Sequence, residues 1–178
     1  MTTDAPTALL PTAADEARFW ALIESAWAGL GPEPAAIRLA LLHRTPETGE
    51  ESLYALDPWL EPFLERLRAA SAGLSAQDLT DLDRVLERKL FDIDRQDIHE
   101  FTDGSDDGFL YARGFIVAAG REFYQAVQAR PELAIMDAEC EAMCYLFSHL
   151  HRERFGAHPR TGSGISRETC SNRAGWPS

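Results

Sequence analysis

The residue types best suited to chemistry are concentrated in one loop and its flanks. Residues 102–108 read TDGSDDG, with a histidine shortly before them and an arginine shortly after. Carboxylates this dense either bind a hard cation or repel one another. The loop is therefore one candidate for a Mg²⁺ or Ca²⁺ site, completed by a side chain such as His99 or Glu100, and this alternative stays open beside the two that follow. The predicted metal ligands are Asp103, Asp106 and Asp107.

This site would not be an EF-hand. Asp103, Ser105 and Asp107 match the first half of an EF-hand loop, and Gly108 follows them. Gly114 stands where that motif requires a bidentate glutamate, so the motif is excluded. Apart from this divalent cation, we expect no cofactor.

A second prediction for the same loop is acid–base catalysis without a metal. Neighbouring carboxylates raise one another's pKa, which can leave one of them protonated near neutral pH. A nearby histidine could act as the base, and the arginine could hold an anion. The predicted catalytic residues are His99, Asp106, Asp107 and Arg113. The sequence has no GxSxG, HExxH or GxxxxGK[ST] motif, so enzymatic activity is an open alternative.

The loop also has the composition of a helix start. Ser105 is typical of an N-cap, and acids in the first turn favour the helix dipole. In this interpretation Arg113 pairs with a buried carboxylate such as Glu122. The predicted ligand-binding residues are Ser105 and Glu122.

The three cysteines allow two interpretations. Cys140 and Cys144 lie four residues apart on a predicted helix, and His151 falls near the same stripe, which is a conceivable zinc site. The stripe also contains Met136 and Phe147 and is typical of a buried helix face. No CxxC motif supports the zinc site.

Apolar residues at helical spacing predict an all-α fold. Capping boxes at Thr12/Asp15 and Ser75/Asp78 are predicted to start two of the helices. The predicted helices cover roughly 12–29, 34–44, 51–72 with an interruption at Pro58, 76–91, 106–129 and 134–155. We therefore expect a single compact domain of five or six helices at 12–156. A flexible arm at 1–11 and a disordered tail at 157–178 are expected to flank it.

Several runs resemble a family of bacterial proteins known as domain of unknown function 4240. The most distinctive are Ser105-Asp106-Asp107-Gly108-Phe109, Arg113 and Gly120-Arg121-Glu122. Phe19-Trp20 is similar to the family's N-terminal signature, and residues 137–141 with Tyr145 are similar to its closing helix. The likeness covers roughly 15–155 and implies a shared fold. The family name implies no activity.

Charge narrows the classes of partner. The chain has 29 acidic and 17 basic residues and a formal net charge of −12, which disfavours nucleic acids and anionic membranes. No apolar run is long enough to span a bilayer. The N-terminus lacks the basic start of a secretory signal, and the odd cysteine count fits a reducing compartment, so we expect a cytoplasmic location.

These observations favour a small cytoplasmic binding or protein-interaction module with an acidic loop, whose partner is an unknown protein or small molecule. The absence of catalytic motifs and the acidic surface, which suits a basic partner, support this expectation. The alternative is an enzyme with its site at residues 99–113.

Overall fold

The helical periodicity of the sequence is realised along the described chain. A computed structural model describes residues 8–102 and 104–177, which contain α-helices, two short 3₁₀ turns and no β-strand. None of the described helices is long and apolar enough to cross a membrane. The helices are α1 (Ala13–Ala28), α2 (Pro32–Leu42), α3 (Glu50–Leu53), α4 (Asp57–Ser71), α5 (Ala76–Asp92), α6 (Gln96–His99), α7 (Asp106–Ala118), α8 (Arg121–Ala129) and α9 (Glu141–Phe155).

The all-α class is confirmed, but the predicted number of five or six helices is wrong. The single helix predicted at 106–129 is divided into α7 and α8, because Gly120 adopts φ +105° and turns the chain. This φ is strained for any residue other than glycine, and a Cβ on Gly120 would also displace the Arg38 guanidinium. The helix predicted at 134–155 begins only at Glu141, after Asp137 at φ +58°.

Local capping starts the main helices as the sequence predicts. Thr12 and Asp15 form a capping box at α1, and Ser75 and Asp78 form another at α5. The Ser105 hydroxyl accepts a hydrogen bond from the Gly108 amide at 3.0 Å and caps α7. Each bond satisfies an amide that the first turn of a helix leaves unpaired.

The core is centred on α9, which packs against α5 and α7. The approach of α7 to α9 depends on Gly114. A Cβ there would overlap the Cys140 carbonyl oxygen and lie 2.6 Å from the Cys144 sulfur. Helix α1 closes the other side, where the Trp27 ring stacks on Phe63 and its indole donates to the Ala118 carbonyl at 2.7 Å.

The C-terminal strap, which we define as residues 160–177, differs most from expectation. The sequence predicts disorder at 157–178, and the described part has no regular structure apart from a 3₁₀ turn at Arg173–Gly175. It nevertheless lies along α5, α7 and α9, and Thr161 and Ser163 are buried. Its contacts are mainly polar and distant in sequence, so it lacks the apolar periodicity by which a packed segment is recognised.

The N-terminal arm meets this strap. The Leu9 amide donates to the Gly162 carbonyl at 2.9 Å, while the Leu9 side chain remains about half exposed. Residues 1–7, the rest of the predicted arm, lie outside the described residues. The start of the described chain therefore lies beside the start of the strap.

We expect Gly114→Ala to destabilise the protein. Overpacking of a core costs about 1–3 kcal/mol. This exceeds the roughly 1 kcal/mol that alanine gains over glycine in helix propensity. The measurement is the free energy of unfolding in urea. Gly73→Ala, in the turn after α4, is the control for an added methyl group, because no described atom apart from Gly73 and its chain neighbours lies within 4 Å of a Cβ there. Equal stability of both variants would contradict the close approach of α7 and α9.

Candidate functional site

The described part of the acidic loop forms the start of α7. Asp106 and Asp107 are exposed in the first turn of this helix, where its dipole favours acids. Asp103, the third predicted metal ligand, lies outside the described residues. Among the residues that are described, no three His, Cys, Asp or Glu side chains form a group that could hold a metal ion.

His99 lies among aromatic rings. Its imidazole centroid is 4.9 Å from the Phe109 ring in an edge-on arrangement and 5.2 Å from the Trp176 ring. Trp176 belongs to the strap. The structure thus brings this predicted catalytic residue against the C-terminal part of the chain.

Arg113 is fully buried on α7. Its guanidinium donates to the Leu90 carbonyl at 2.9 Å, to the Arg167 carbonyl at 2.8 Å and to the Thr169 hydroxyl at 3.3 Å. Burial lowers the pKa of Arg113, and the nearby Asp94 carboxylate opposes this shift. Its Nε atom is buried without a hydrogen-bond partner among the described residues. Arg113 therefore holds strap main chain.

The predicted pairing of Arg113 with Glu122 is wrong. Glu122 is exposed in the first turn of α8, because the turn at Gly120 separates that helix from α7. It lines a cleft of about 420 Å³ with Glu24 and Arg38. The predicted ligand-binding residues Ser105 and Glu122 thus lie on different helices.

Asp94 is a fully buried carboxylate just after α5. It accepts hydrogen bonds from the Cys170 amide at 3.1 Å, the Asn172 amide at 2.9 Å and the Trp176 indole at 2.9 Å. Within the described chain, these side-chain bonds all come from the strap. A buried carboxylate requires such donors, since an unpaired one is strongly destabilising.

Two further acids on α5 hold Arg167 of the strap. The guanidinium lies 2.6 Å from the Asp83 carboxylate and 3.4 Å from that of Glu87. It also donates to the Cys144 carbonyl and lies over the Tyr145 ring. Burial raises the pKa of Asp83, and the Arg167 guanidinium opposes this shift. Within the part of the chain that the structure describes, one oxygen of the Asp83 carboxylate is buried without a hydrogen-bond partner.

We define the strap groove by the four charged residues under the strap: Asp83, Glu87, Asp94 and Arg113. Asp94 accepts main-chain N–H bonds, Arg113 donates to a main-chain carbonyl, and the α5 acids bind a guanidinium. This combination can bind an extended peptide through its backbone and one side chain. A cleft of about 620 Å³ lies beside the end of the strap, with Asp97 and Glu100 among its lining residues.

Sequence reasoning identified Arg113 but missed the other groove residues and Arg167. A signal existed for Asp83, which lies four residues after Leu79 and seven before Leu90 on α5. Helical spacing places this carboxylate on the apolar face, where a charge requires a partner. No comparable local signal marks Asp94, since its donors lie about 80 residues away.

The buried cysteine pair has the character of core thiols. Burial raises the pKa of Cys140 to about 11 and that of Cys144 to about 12. The His151 ring contacts the Ala157 carbonyl through Nδ1 at 2.5 Å. Met136, predicted to share the buried stripe, is instead about half exposed ahead of α9.

Residues 55–152 match the model of a protein family described as "Protein of unknown function (DUF4240)". The match includes the four residues of the strap groove, whereas the strap lies beyond it. Searches of curated proteins and of solved structures give no significant match.

We expect one thiol to react in the native protein. A thiol-reactive disulfide at pH 8 should modify the exposed Cys170, at a rate slowed by its raised pKa, which partial desolvation and the nearby Asp94 carboxylate cause. Cys140 and Cys144 should react only in denaturant. The measurement is the absorbance of the coloured thiolate that the disulfide reagent releases as it reacts. Cys170→Ser provides the control and should abolish the native reaction. Native modification of Cys144 would contradict its burial.

The metal prediction for the loop is tested by thermal unfolding. We expect Asp106→Asn/Asp107→Asn to lower Tm slightly through loss of the favourable helix-dipole interaction. If these acids only favour the helix dipole, Mg²⁺, Ca²⁺ and EDTA give the same Tm for the original chain. A cation at 100 times its Kd would instead add about 2.7 kcal/mol of stability. Such a rise, absent in the double variant, would establish the metal site.

Proposed function

The chain belongs to the DUF4240 family of proteins of unknown function, and on this premise we propose that it is a peptide-binding module. The proposed site is the strap groove, which lies within the family match. The proposed ligand is an extended segment of a partner protein that carries an arginine. We infer the kind of ligand from the contacts that the groove makes with the strap of the same chain.

The observation that carries the proposal is the environment of Asp94. Its buried carboxylate takes its three hydrogen bonds among the described residues from the strap, a segment without regular structure. Arg113 complements it by donating to the Arg167 carbonyl. Main-chain hydrogen bonds of this kind provide affinity for extended peptides of differing sequence.

Side-chain selectivity comes from α5. Asp83 and Glu87 are one helical turn apart and both face the Arg167 guanidinium. A guanidinium suits this site better than an ammonium, because it spreads several donors over a planar group and stacks on aromatic rings. The Tyr145 ring, with its centroid 5.8 Å from the guanidinium carbon, supplies such a face. The net charge of −12 also favours basic partners.

The alternative prediction of an enzyme at residues 99–113 stays a prediction. His99, Asp106, Asp107 and Arg113 would have to act on one substrate. Arg113 is buried against main-chain carbonyls, whereas Asp106 and Asp107 are exposed. These positions favour binding over catalysis at this part of the chain.

The proposal predicts specific binding of an added peptide. The probe is a fluorescein-labelled copy of residues 160–177 with Cys170→Ser, and the protein is the full chain with Arg167→Ala. We expect saturable 1:1 binding by fluorescence anisotropy. A peptide with Arg167→Gln should bind at least tenfold more weakly. Loss of one partner of a buried charge pair costs about 2–5 kcal/mol, and 1.4 kcal/mol is a factor of ten.

Matched controls separate recognition from general charge attraction. A peptide with Arg173→Gln loses the same charge at an exposed position and should bind as the parent peptide does. In the protein, Asp94→Asn should weaken binding at least tenfold, whereas the exposed change Asp107→Asn should not. Circular dichroism and Tm establish that each variant is folded. Equal affinities for the two glutamine peptides would refute the proposed function.

A further inference from the structure

The strap and a partner peptide would require the same atoms. The Asp94 carboxylate is occupied by two amides and an indole of the strap. The Arg113 guanidinium is occupied by a strap carbonyl and hydroxyl, and Asp83 by Arg167. Two occupants cannot share these groups. Binding of a partner in the strap groove therefore requires that the strap leave it.

The strap is held by contacts that give it a lower free energy of local opening than the helical core has. A buried ion pair must offset the desolvation of both charges, so its net contribution is small. The pairing is also incomplete within residues 8–102 and 104–177, where one Asp83 oxygen and the Arg113 Nε are buried without hydrogen-bond partners. Cys170 adopts φ +66°, which is strained for a residue other than glycine. Local opening has its lowest free energy in such irregular segments.

The N-terminal arm contacts the strap at Gly162, which is not one of the residues that bind the groove charges. Gly162 adopts φ +66°, and a Cβ there would lie 2.9 Å from the Leu9 Cδ1 atom. The Leu9 amide donates to the Gly162 carbonyl. Leu9 thus packs against the start of the strap, while Leu10 beside it is two-thirds exposed. We call this contact the Leu9 latch.

From these contacts we infer that the strap is an intramolecular competitor for the strap groove, held in place by the Leu9 latch. This inference rests on the proposed function and adds its regulation. The chain is closed while the strap is bound, and a partner with an arginine-bearing segment binds after the strap has left. A change at the arm that breaks the Leu9 latch opens the groove without altering its charged residues.

The test compares full-length chains that keep every groove residue and Arg167. Gly162→Val forces a β-branched residue into a left-handed conformation and against Leu9, and should release the strap. We expect it to bind the labelled peptide at least tenfold more tightly than the original chain does. Leu9→Ala should increase affinity severalfold, and Leu10→Ala, the matched control, should leave it unchanged.

Hydrogen exchange provides a readout that needs no ligand. Amides of residues 160–177 should exchange faster in Gly162→Val and Leu9→Ala, while those of α5, α7 and α9 keep their protection. Faster strap exchange with unchanged peptide affinity would overturn the competition and leave the proposed function intact. Unchanged strap exchange in both variants would overturn the Leu9 latch. Absence of peptide binding in every chain, including Arg167→Ala, would overturn the proposed function itself.

Discussion

Two buried charges of opposite sign, the Arg113 guanidinium and the Asp94 carboxylate, impose the constraint on which the rest of the structure depends. A buried charge is tolerated only where hydrogen bonds replace the water it has lost. Arg113 obtains one acceptor from the Leu90 carbonyl of α5 and the others from the strap. Asp94 obtains its donors from the strap. The course of residues 160–177 is therefore set by the need to satisfy groups on the helices.

The local part of this architecture could be predicted from the sequence. The starts of α1, α5 and α7 follow from serine, threonine and aspartate at fixed spacings, because a cap is decided within four residues. The break between α7 and α8 could not be predicted, because a glycine can either continue a helix or turn the chain. The turn at Gly120 is accompanied by a distant contact, in which Arg38, about 80 residues earlier, donates a hydrogen bond to the Ala119 carbonyl. A helix boundary fixed by such a distant contact leaves little trace in the local pattern.

The residues of the candidate site could likewise be predicted only where local sequence determines their role. Ser105 was identified because capping is local, and Arg113 because it stands near an unusual loop. The partners of Arg113 were not foreseen, because a hydrogen bond to a main-chain carbonyl of residue 167 carries no signature in residue type. The burial of Asp94 arises only when the helices and the strap assemble, whereas that of Asp83 is already indicated by its position on the apolar face of α5. The density of charge in the loop marks Asp106 and Asp107, which are exposed. The carboxylates of Asp83 and Asp94, which bind the strap, are buried.

The order of the elements along the chain has a consequence for cleavage of the backbone. The four groove residues belong to α5, α7 and the turn after α5, and α9 ends at Phe155, so all of them precede the strap. Residues 156–158, which connect α9 to the strap, are exposed. A chain cut at this connection would keep every groove residue and could lose the segment that covers them. Water would then hydrate the charges that the strap now buries, and the cut could not be reversed as a local opening can.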